Sequence, residues 1–515
     1  MNVGQLLADS ALRFPERPAV TWGDRSLAYG ELDRRTNALA RGLAATGLSK
    51  GDRVGVLMRN RPEVLEAMFA CFKAGYCLVP LNSRFTSEEV AFHVGDSRAR
   101  AVLTDREGES VVREADCADL TIVVAGGAGL RAGVIDHDSL VAGHDPSPVS
   151  VDVGRDDLAW LFYTSGTTGR PKGAMLSHGI LGFVTASWLA DITPLDERDV
   201  TLHAAPLSHG AGFHALAATA RGAHQLIPAQ TRFDPEGILA LLAEARVTNT
   251  WLVPTQIVML LDALADRAAD LPDLRRVVYG GAPFPPADLR HALEVFGPVF
   301  VQLFGQGETP MTATVLSVRD HEDAVAGDRP ERLASAGVAR PGTEVRILGE
   351  DGAELPRGEV GEVCVRGGAV MLGYWDRPAD TAETLRGGWL HTGDLGRVDG
   401  HGYVYLLDRA KDMIISGGSN VYAVEVEAVL ASHPSVREVA VVGMQDRTWG
   451  EVVTAVVVPR DGVDTADLAA TLGAHCAASL AGYKLPRRFV LREVLPRNAY
   501  GKVLKRALRD ELAEA

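Results

Sequence analysis

Short apolar runs alternate with helically spaced stretches along most of this chain. That alternation is the tightest constraint on its fold. A helical pattern opens at Tyr29 and continues to Ala45, and Arg53–Met58 reads as a strand. Pro62–Ala74 reads as a helix, Tyr76–Leu81 as a strand, Ser87–Gly95 as a helix and Arg98–Thr104 as a strand. A parallel partner needs a crossover, so strands separated by helices predict a doubly wound parallel α/β sheet. The stretch 126–148, rich in Gly, Asp and His, reads as an irregular connection. From Asp156 the alternation resumes. Strands are expected at Leu158–Phe162, Asn249–Pro254, Arg276–Tyr279 and Val299–Phe304, with a helix at Thr255–Ala265.

Beyond Gly337 the texture changes. Val345–Leu348, Gly361–Arg366 and Gly402–Leu407 are short β runs split by Gly-rich turns, which predicts a small β-barrel or distorted sheet. The polar run Asp408-Arg409-Ala410-Lys411-Asp412 marks a boundary, and a compact mix of strands and helices follows it. The expected architecture is therefore a large N-terminal α/β domain of doubly wound sheets plus a small β-barrel, residues 1–408. A small mobile α+β domain, 409–515, follows it, with a hinge near 408–411.

The net charge of −15 argues against non-specific nucleic-acid binding and against attraction to anionic membranes. Five cysteines, an odd number with no Cys-x-x-Cys, read as reduced thiols rather than a disulfide frame or a zinc site. Met1 to Arg13 carries Asp9 and no apolar core, so no secretory leader is expected. The uncharged run Val200–Ala220 holds His203, His209 and His214 and reads as a pocket-lining or loop segment, not a membrane span. A cytoplasmic protein is expected.

One loop stands out for chemistry. Tyr163-Thr164-Ser165-Gly166-Thr167-Thr168-Gly169-Arg170-Pro171-Lys172-Gly173 follows an apolar strand. Glycines let N–H groups turn inward, hydroxyls add donors and Lys172 adds a charge, a set suited to polyphosphate. It is not the Gly-x-x-x-x-Gly-Lys-Ser/Thr loop of nucleotide hydrolases. A mobile surface loop has the same composition, so the loop alone leaves both readings open. Two further Gly-rich turns, Gly280-Gly281-Ala282-Pro283 and Gly305-Gln306-Gly307-Glu308-Thr309, follow strands. Ligands of open α/β sheets bind beyond the carboxyl ends of strands, which brings these turns toward one crevice.

Taken in order, the motifs resemble those of the acyl-adenylate-forming superfamily of acyl-CoA synthetases, adenylation domains and luciferases. Besides Tyr163–Gly173 they are Gly358–Trp375, Trp389–Asp394, Asp408-Arg409 with Lys411, Ile414–Gly418 leading to Val424–Glu427, and Asn498–Lys502. The resemblance covers nearly the whole chain. It implies that Thr164, Ser165, Gly166, Thr167, Thr168, Gly169 and Lys172 wrap the phosphates of ATP. Glu308 matches the family's Mg²⁺ carboxylate. Asp394 and Arg409 match ligands of the ribose, and Gly281, Ala282, Pro283, Phe304, Gly305 and Thr309 border the nucleotide.

Lys502 matches the lysine that stabilises charge between the carboxylate and the α-phosphate. Lys411 sits at the hinge position, and Gly417 and Gly418 match the wall of a CoA channel. His209 matches a residue near the carboxylate. Each residue type also has an ordinary use: a turn Asp at 394, a core Phe at 304, a core His at 209, a tail Lys at 502. One departure is present, because Gly307 stands where the family usually has Thr before the metal Glu. That removes one hydroxyl, or Thr309 takes its place.

The resemblance implies an ATP-dependent ligase joining a small-molecule carboxylic acid to CoA through an adenylate. The alternatives are loading of a carrier-protein pantetheine and use of another acid or acceptor, an amine or a small oxyanion. The candidate pocket walls, His203 to His214, Trp251 to Leu260, Tyr279 to Gly281 and Met311, are largely apolar. The run Pro206–His209 holds no Asp to take an α-amine, which favours a fatty, aromatic or other non-amino acid.

Overall fold

The structure is a computed structural model. It describes residues 2–514 except 128–130, 165–169, 231, 266, 410–411, 417–418, 447–448 and 499–500, with backbone alone at 409, 419 and 514. Two large sheets dominate. The first has seven strands in the order Ile135–Asp136, Thr121–Ala125, Ala99–Asp105, Arg53–Leu57, Cys77–Leu81, Leu158–Thr164 and Lys172–Ser177. All its pairs are parallel except the last, a hairpin at the edge. The second has nine strands, and its parallel centre runs through Phe300–Gln306, Arg276–Gly280, Asn249–Leu252, Val200–Leu202 and His224–Ile227.

The α/β expectation therefore stands, but the chain does not fill its sheets in sequence. Pro18–Trp22 and Arg25–Ala28 join the second sheet beside His224–Ile227, while the hairpin 158–177 completes the first. Hydrophobic periodicity reports which face is buried, not which sheet a strand joins. A third sheet is antiparallel: Thr343–Leu348, Gly361–Gly367, Leu390–Val398 and Val404–Arg409, the half-barrel form of the expected β-barrel. A fourth, within 414–491, has Gly450–Pro459 at its centre and forms the small C-terminal domain with its own apolar core.

Two stretches differ from expectation. The connection 126–148 contains a strand, Ile135–Asp136, and a helix, His137–Ala142. Asp136 caps that helix, accepting from Ser139 N at 2.7 Å. The run from Val200 is a strand followed by the helix Gly210–Arg221, not a loop. Ten of its first residues, Gly210 to Thr219, are buried, so it has no polar face and shows no amphipathic period.

That helix joins the two sheets. Trp160 of the first sheet stacks on its Phe213 at 5.0 Å, and Phe162 lies 5.7 Å from the same ring. Burying each such aromatic contributes on the order of 2–3 kcal/mol. The approach is close at Gly212, where a Cβ would lie 2.8 Å from the Trp160 ring. Among the described residues no helix is long and apolar enough to cross a membrane. The five cysteines are unpaired.

One buried ion pair fixes the segment Trp188–Ile192 against the second sheet. The Arg340 side chain is fully buried, and its Nε donates to both carboxylate oxygens of Asp191, at 3.1 and 3.2 Å. It also bonds the Ser187 carbonyl. Removing the acid leaves an uncompensated buried guanidinium. Asp191→Ala is expected to lower unfolding free energy by about 3 kcal/mol in urea titration. An unchanged midpoint would show that Arg340 finds water instead.

Candidate active site

The hairpin of the first sheet sets two side chains on adjacent strands. Thr164 and Lys172 are direct cross-strand partners, as are Tyr163 and Gly173. The tip, Ser165, Gly166, Thr167, Thr168 and Gly169, lies outside the described residues. Thr164 Oγ1 donates to Glu308 Oε1 at 2.7 Å. Glu308 stands at the turn between Phe300–Gln306 and Thr309–Leu316, an antiparallel hairpin of the second sheet. Glu308 is 7 % exposed, and the Tyr374 hydroxyl donates to the same Oε1 at 2.7 Å.

Tyr374 arrives through backbone pairing. Met175 N donates to Gly373 O, Leu372 N to Met175 O and Trp375 N to Gly173 O, each at 2.9 Å. The segment around Gly373-Tyr374-Trp375 is thus laced to the hairpin. Lys172 pairs with Asp380, and its Nζ lies 5.3 Å over the Tyr374 ring. Burial and the Glu308 carboxylate push the Tyr374 phenol far up, so it stays protonated and donates.

On the other side, Gln306 Nε2 donates to Asp394 Oδ2 at 2.7 Å and to Thr392 O at 2.9 Å. Asp394 is itself buried and pairs across the third sheet with Arg409. Glu362 supports this turn, accepting from Gly393 N at 3.0 Å and bonding His391 Nδ1 at 2.7 Å. Gly393 adopts φ +69°, which glycine takes without strain. Gly281, Ala282 and Pro283 lie exposed beyond the strand Arg276–Gly280, and Phe304 is half-buried on the neighbouring strand.

The departure at Gly307 has a packing cause. A Cβ there would collide with Thr164 Cγ2 and lie 2.5 Å from Phe162 Cδ1. Thr164 holds the space that a threonine at 307 would need. Thr309 does not take over on the crevice surface, since its side chain is fully buried and its hydroxyl has no partner among the described residues. Gly305 is held by the hairpin as well, because a Cβ would lie 2.6 Å from Thr309 O.

His209 precedes the helix Gly210–Arg221, and its ring lies 4.9 Å from Phe162. Apolar surroundings push its imidazole down to about 4, so it is neutral near pH 7. Beside it, Met311 adopts φ +52°, a rare conformation for a long side chain. Lys502 is exposed on the C-terminal domain, in a turn where its N–H donates to Asn498 Oδ1 at 2.9 Å. Lys411, Gly417 and Gly418 lie outside the described residues, as does the Arg409 side chain.

The structure thus links Thr164, Lys172, Glu308 and Asp394 through contacts of two neighbouring hairpins. It adds Tyr374 and Gln306, which sequence reasoning did not single out. Gln306 had a signal, a lone amide between two glycines, and Tyr374 stood in a shared segment without a role.

Known proteins share this fold and domain order. Residues 7–375 match the AMP-binding enzyme family, and 425–502 match the AMP-binding enzyme C-terminal domain. A feruloyl-CoA synthase from Amycolatopsis sp is 42% identical over 500 residues, 96% of each chain. The o-succinylbenzoate CoA synthetase of Bacillus subtilis, solved with its acyl-adenylate, superposes with TM-score 0.85 at 32% identity over 98% of each chain. An amide bond synthetase from Marinactinospora thermotolerans gives 0.88 at 30% identity over 99% of each. The chain belongs to the AMP-binding enzyme family and is an enzyme of the adenylate-forming superfamily, of the acyl-CoA synthetase kind.

Proposed function

We propose that this enzyme adenylates an aromatic carboxylic acid with ATP and transfers the acyl group to CoA. The observation that carries the reading is the Glu308 carboxylate, held by hydroxyls of Thr164 and Tyr374 beside Lys172 while Gln306 of the same hairpin holds Asp394. A carboxylate oxygen of the acid attacks the α-phosphorus, the bond to the β-phosphate oxygen breaks and pyrophosphate leaves. The CoA thiolate then attacks the acyl carbon and AMP leaves.

Lys172, with Thr164 to Gly169, holds the β- and γ-phosphates, exchanging its Asp380 partner for phosphate oxygen. A buried carboxylate next to hydroxyl oxygens suits Mg²⁺, which takes one or two carboxylates beside phosphate oxygens. Bound at Glu308, that ion would neutralise phosphate charge. Asp394, positioned by Gln306, and Arg409 hold the ribose. Gly281, Ala282, Pro283, Phe304 and Gly305 border the base, with Thr309 buried behind them.

Lys502 supplies the cation for the charge that develops in adenylation. Division into 1–408 and 409–515, with Lys411 as hinge, lets the second step exchange Lys502 for Gly417 and Gly418 at the thiol channel. Phe162, neutral His209, Trp251 and Met311 around Gly210 support a flat, aromatic acid, as does the likeness to a feruloyl-CoA synthase. Unpaired cysteines suit a reducing, cytoplasmic compartment.

Acid-dependent pyrophosphate exchange over a panel of aryl and alkyl acids, with AMP release measured with and without CoA, tests the reading. Exchange should need only acid and ATP, and rapid AMP release should need CoA. AMP release indifferent to CoA for every exchanging acid would sink the acceptor assignment. Lys502→Ala should lower exchange by roughly 10²- to 10³-fold, as loss of one transition-state donor does. Thioester formation from a supplied acyl-adenylate should change little in that variant. Gly307→Thr should destabilise by about 1–3 kcal/mol through overpacking against Thr164 and Phe162, and should also lower exchange. A melting temperature equal to the parent's would refute the packing account of Gly307.

A further inference from the structure

The helix Gly210–Arg221 carries two contrasting residues on one face. Gly210 and His214 are four apart and stand one turn above another. Gly210 is buried beside His209, and a Cβ there would lie 2.6 Å from Met311 Sδ and 3.2 Å from the Trp251 ring. One turn deeper, His214 is fully buried, and neither ring nitrogen makes a hydrogen bond of good geometry among the described residues, the Asn249 side chain being its one weak polar contact. Its ring stacks on Trp188 at 5.2 Å and 22°. Trp188 lies 5.9 Å from Trp251, so one aromatic wall runs from Gly210 down to His214.

The neighbours are polar too. His203 meets His214 edge-on at 5.8 Å and bonds Gln225 through Nε2 at 3.0 Å. His203 Nδ1 also lacks a partner among the described residues, and Asn249 Oδ1 has only its weak contact with His214. Buried polar groups are almost always hydrogen-bonded, so a cluster short of partners calls for an explanation. Met311 is the group that stands over Gly210. Its thioether is unbranched and turns about three bonds, which makes it a cover that a ring can displace.

We propose that His214 is a specificity-determining residue, whose imidazole hydrogen-bonds a polar substituent, such as a phenolic hydroxyl, at the far end of the aromatic acid. This rests on the aryl-acid reading above. From His209 to His214 the helix rises about 7.5 Å, the length scale of an aromatic acid from carboxyl to para substituent. Burial, with His203 beside it, pushes the His214 imidazole down to about 3 against the opposing contact with Asn249. It is therefore neutral at working pH, with one nitrogen donating and the other accepting. A phenol suits either nitrogen, donating to the bare one or accepting from the N–H. A bare ring leaves the imidazole unsatisfied, and sites built to bond a hydroxyl discriminate against analogues that lack it.

The test compares kcat/KM in pyrophosphate exchange for 4-hydroxycinnamate and cinnamate, and for 4-hydroxybenzoate and benzoate. The parent should prefer the hydroxylated acid of at least one pair by about tenfold or more. His214→Phe keeps a planar ring on Trp188 and should bring that ratio close to one, mainly through KM for the hydroxylated acid. His214→Asn, which still donates and accepts, should retain most of the preference. Equal loss on both acids in His214→Phe, or an unchanged ratio, overturns the assignment. If His214→Phe does not fold, His214→Asn decides: a kept preference supports the proposal and a lost one overturns it. A parent that activates aryl acids without preference defeats the His214 assignment alone. A parent that activates no aryl acid but does activate alkanoates defeats the aryl reading and this assignment together.

Discussion

The site depends on one buried carboxylate shared by three segments. Glu308 Oε1 receives hydroxyls from Thr164 of the first sheet's hairpin and Tyr374 of the crossing segment, while its backbone carbonyl accepts from Met371 N at 2.8 Å. An anion held by two O–H donors in a nearly dry place is a strong, directional contact. It ties the second sheet's hairpin 300–316 to the first sheet's edge. Loss of Glu308 would leave both hydroxyls without this partner, whereas loss of either hydroxyl leaves the other contact standing.

The sheets explain why those segments meet. Each parallel core gives way to an antiparallel hairpin, 158–177 at the edge of the first sheet and 300–316 one strand from the edge of the second. The helix Gly210–Arg221 lies between them, and its aromatic contacts with Trp160 and Phe162 set the spacing of the crevice. Glycines at 212, 305 and 307 mark where backbone must approach within contact of another element. At these positions glycine serves close packing, a demand separate from loop flexibility.

Much of this was legible in the residues. The βα alternation implied α/β sheets, and the shared motifs implied the adenylating family and the identity of Thr164, Lys172, Glu308 and Asp394. The buried helix at 210–221 was not legible, since a helix apolar on every side carries no period. Gln306 and Tyr374 were passed over because their importance lies in a partner 88 and 66 residues away, Asp394 and Glu308. The meaning of Gly307 was equally hidden. As a sequence departure it looked like a lost hydroxyl, and only its contact with Thr164 turned it into a packing requirement.

By itself the sequence determined the local elements, the order of the functional motifs and the chemistry of their side chains. These depend on propensity, pattern and residue type, which are properties of short stretches. The tertiary structure alone decided that the first strands join the second sheet, that the hairpin 158–177 joins the first, and that His214 lies one turn beneath Gly210 with only a weak contact to Asn249. Such outcomes depend on close packing and on satisfaction of buried polar groups between segments far apart in the chain, and no local pattern carries that information.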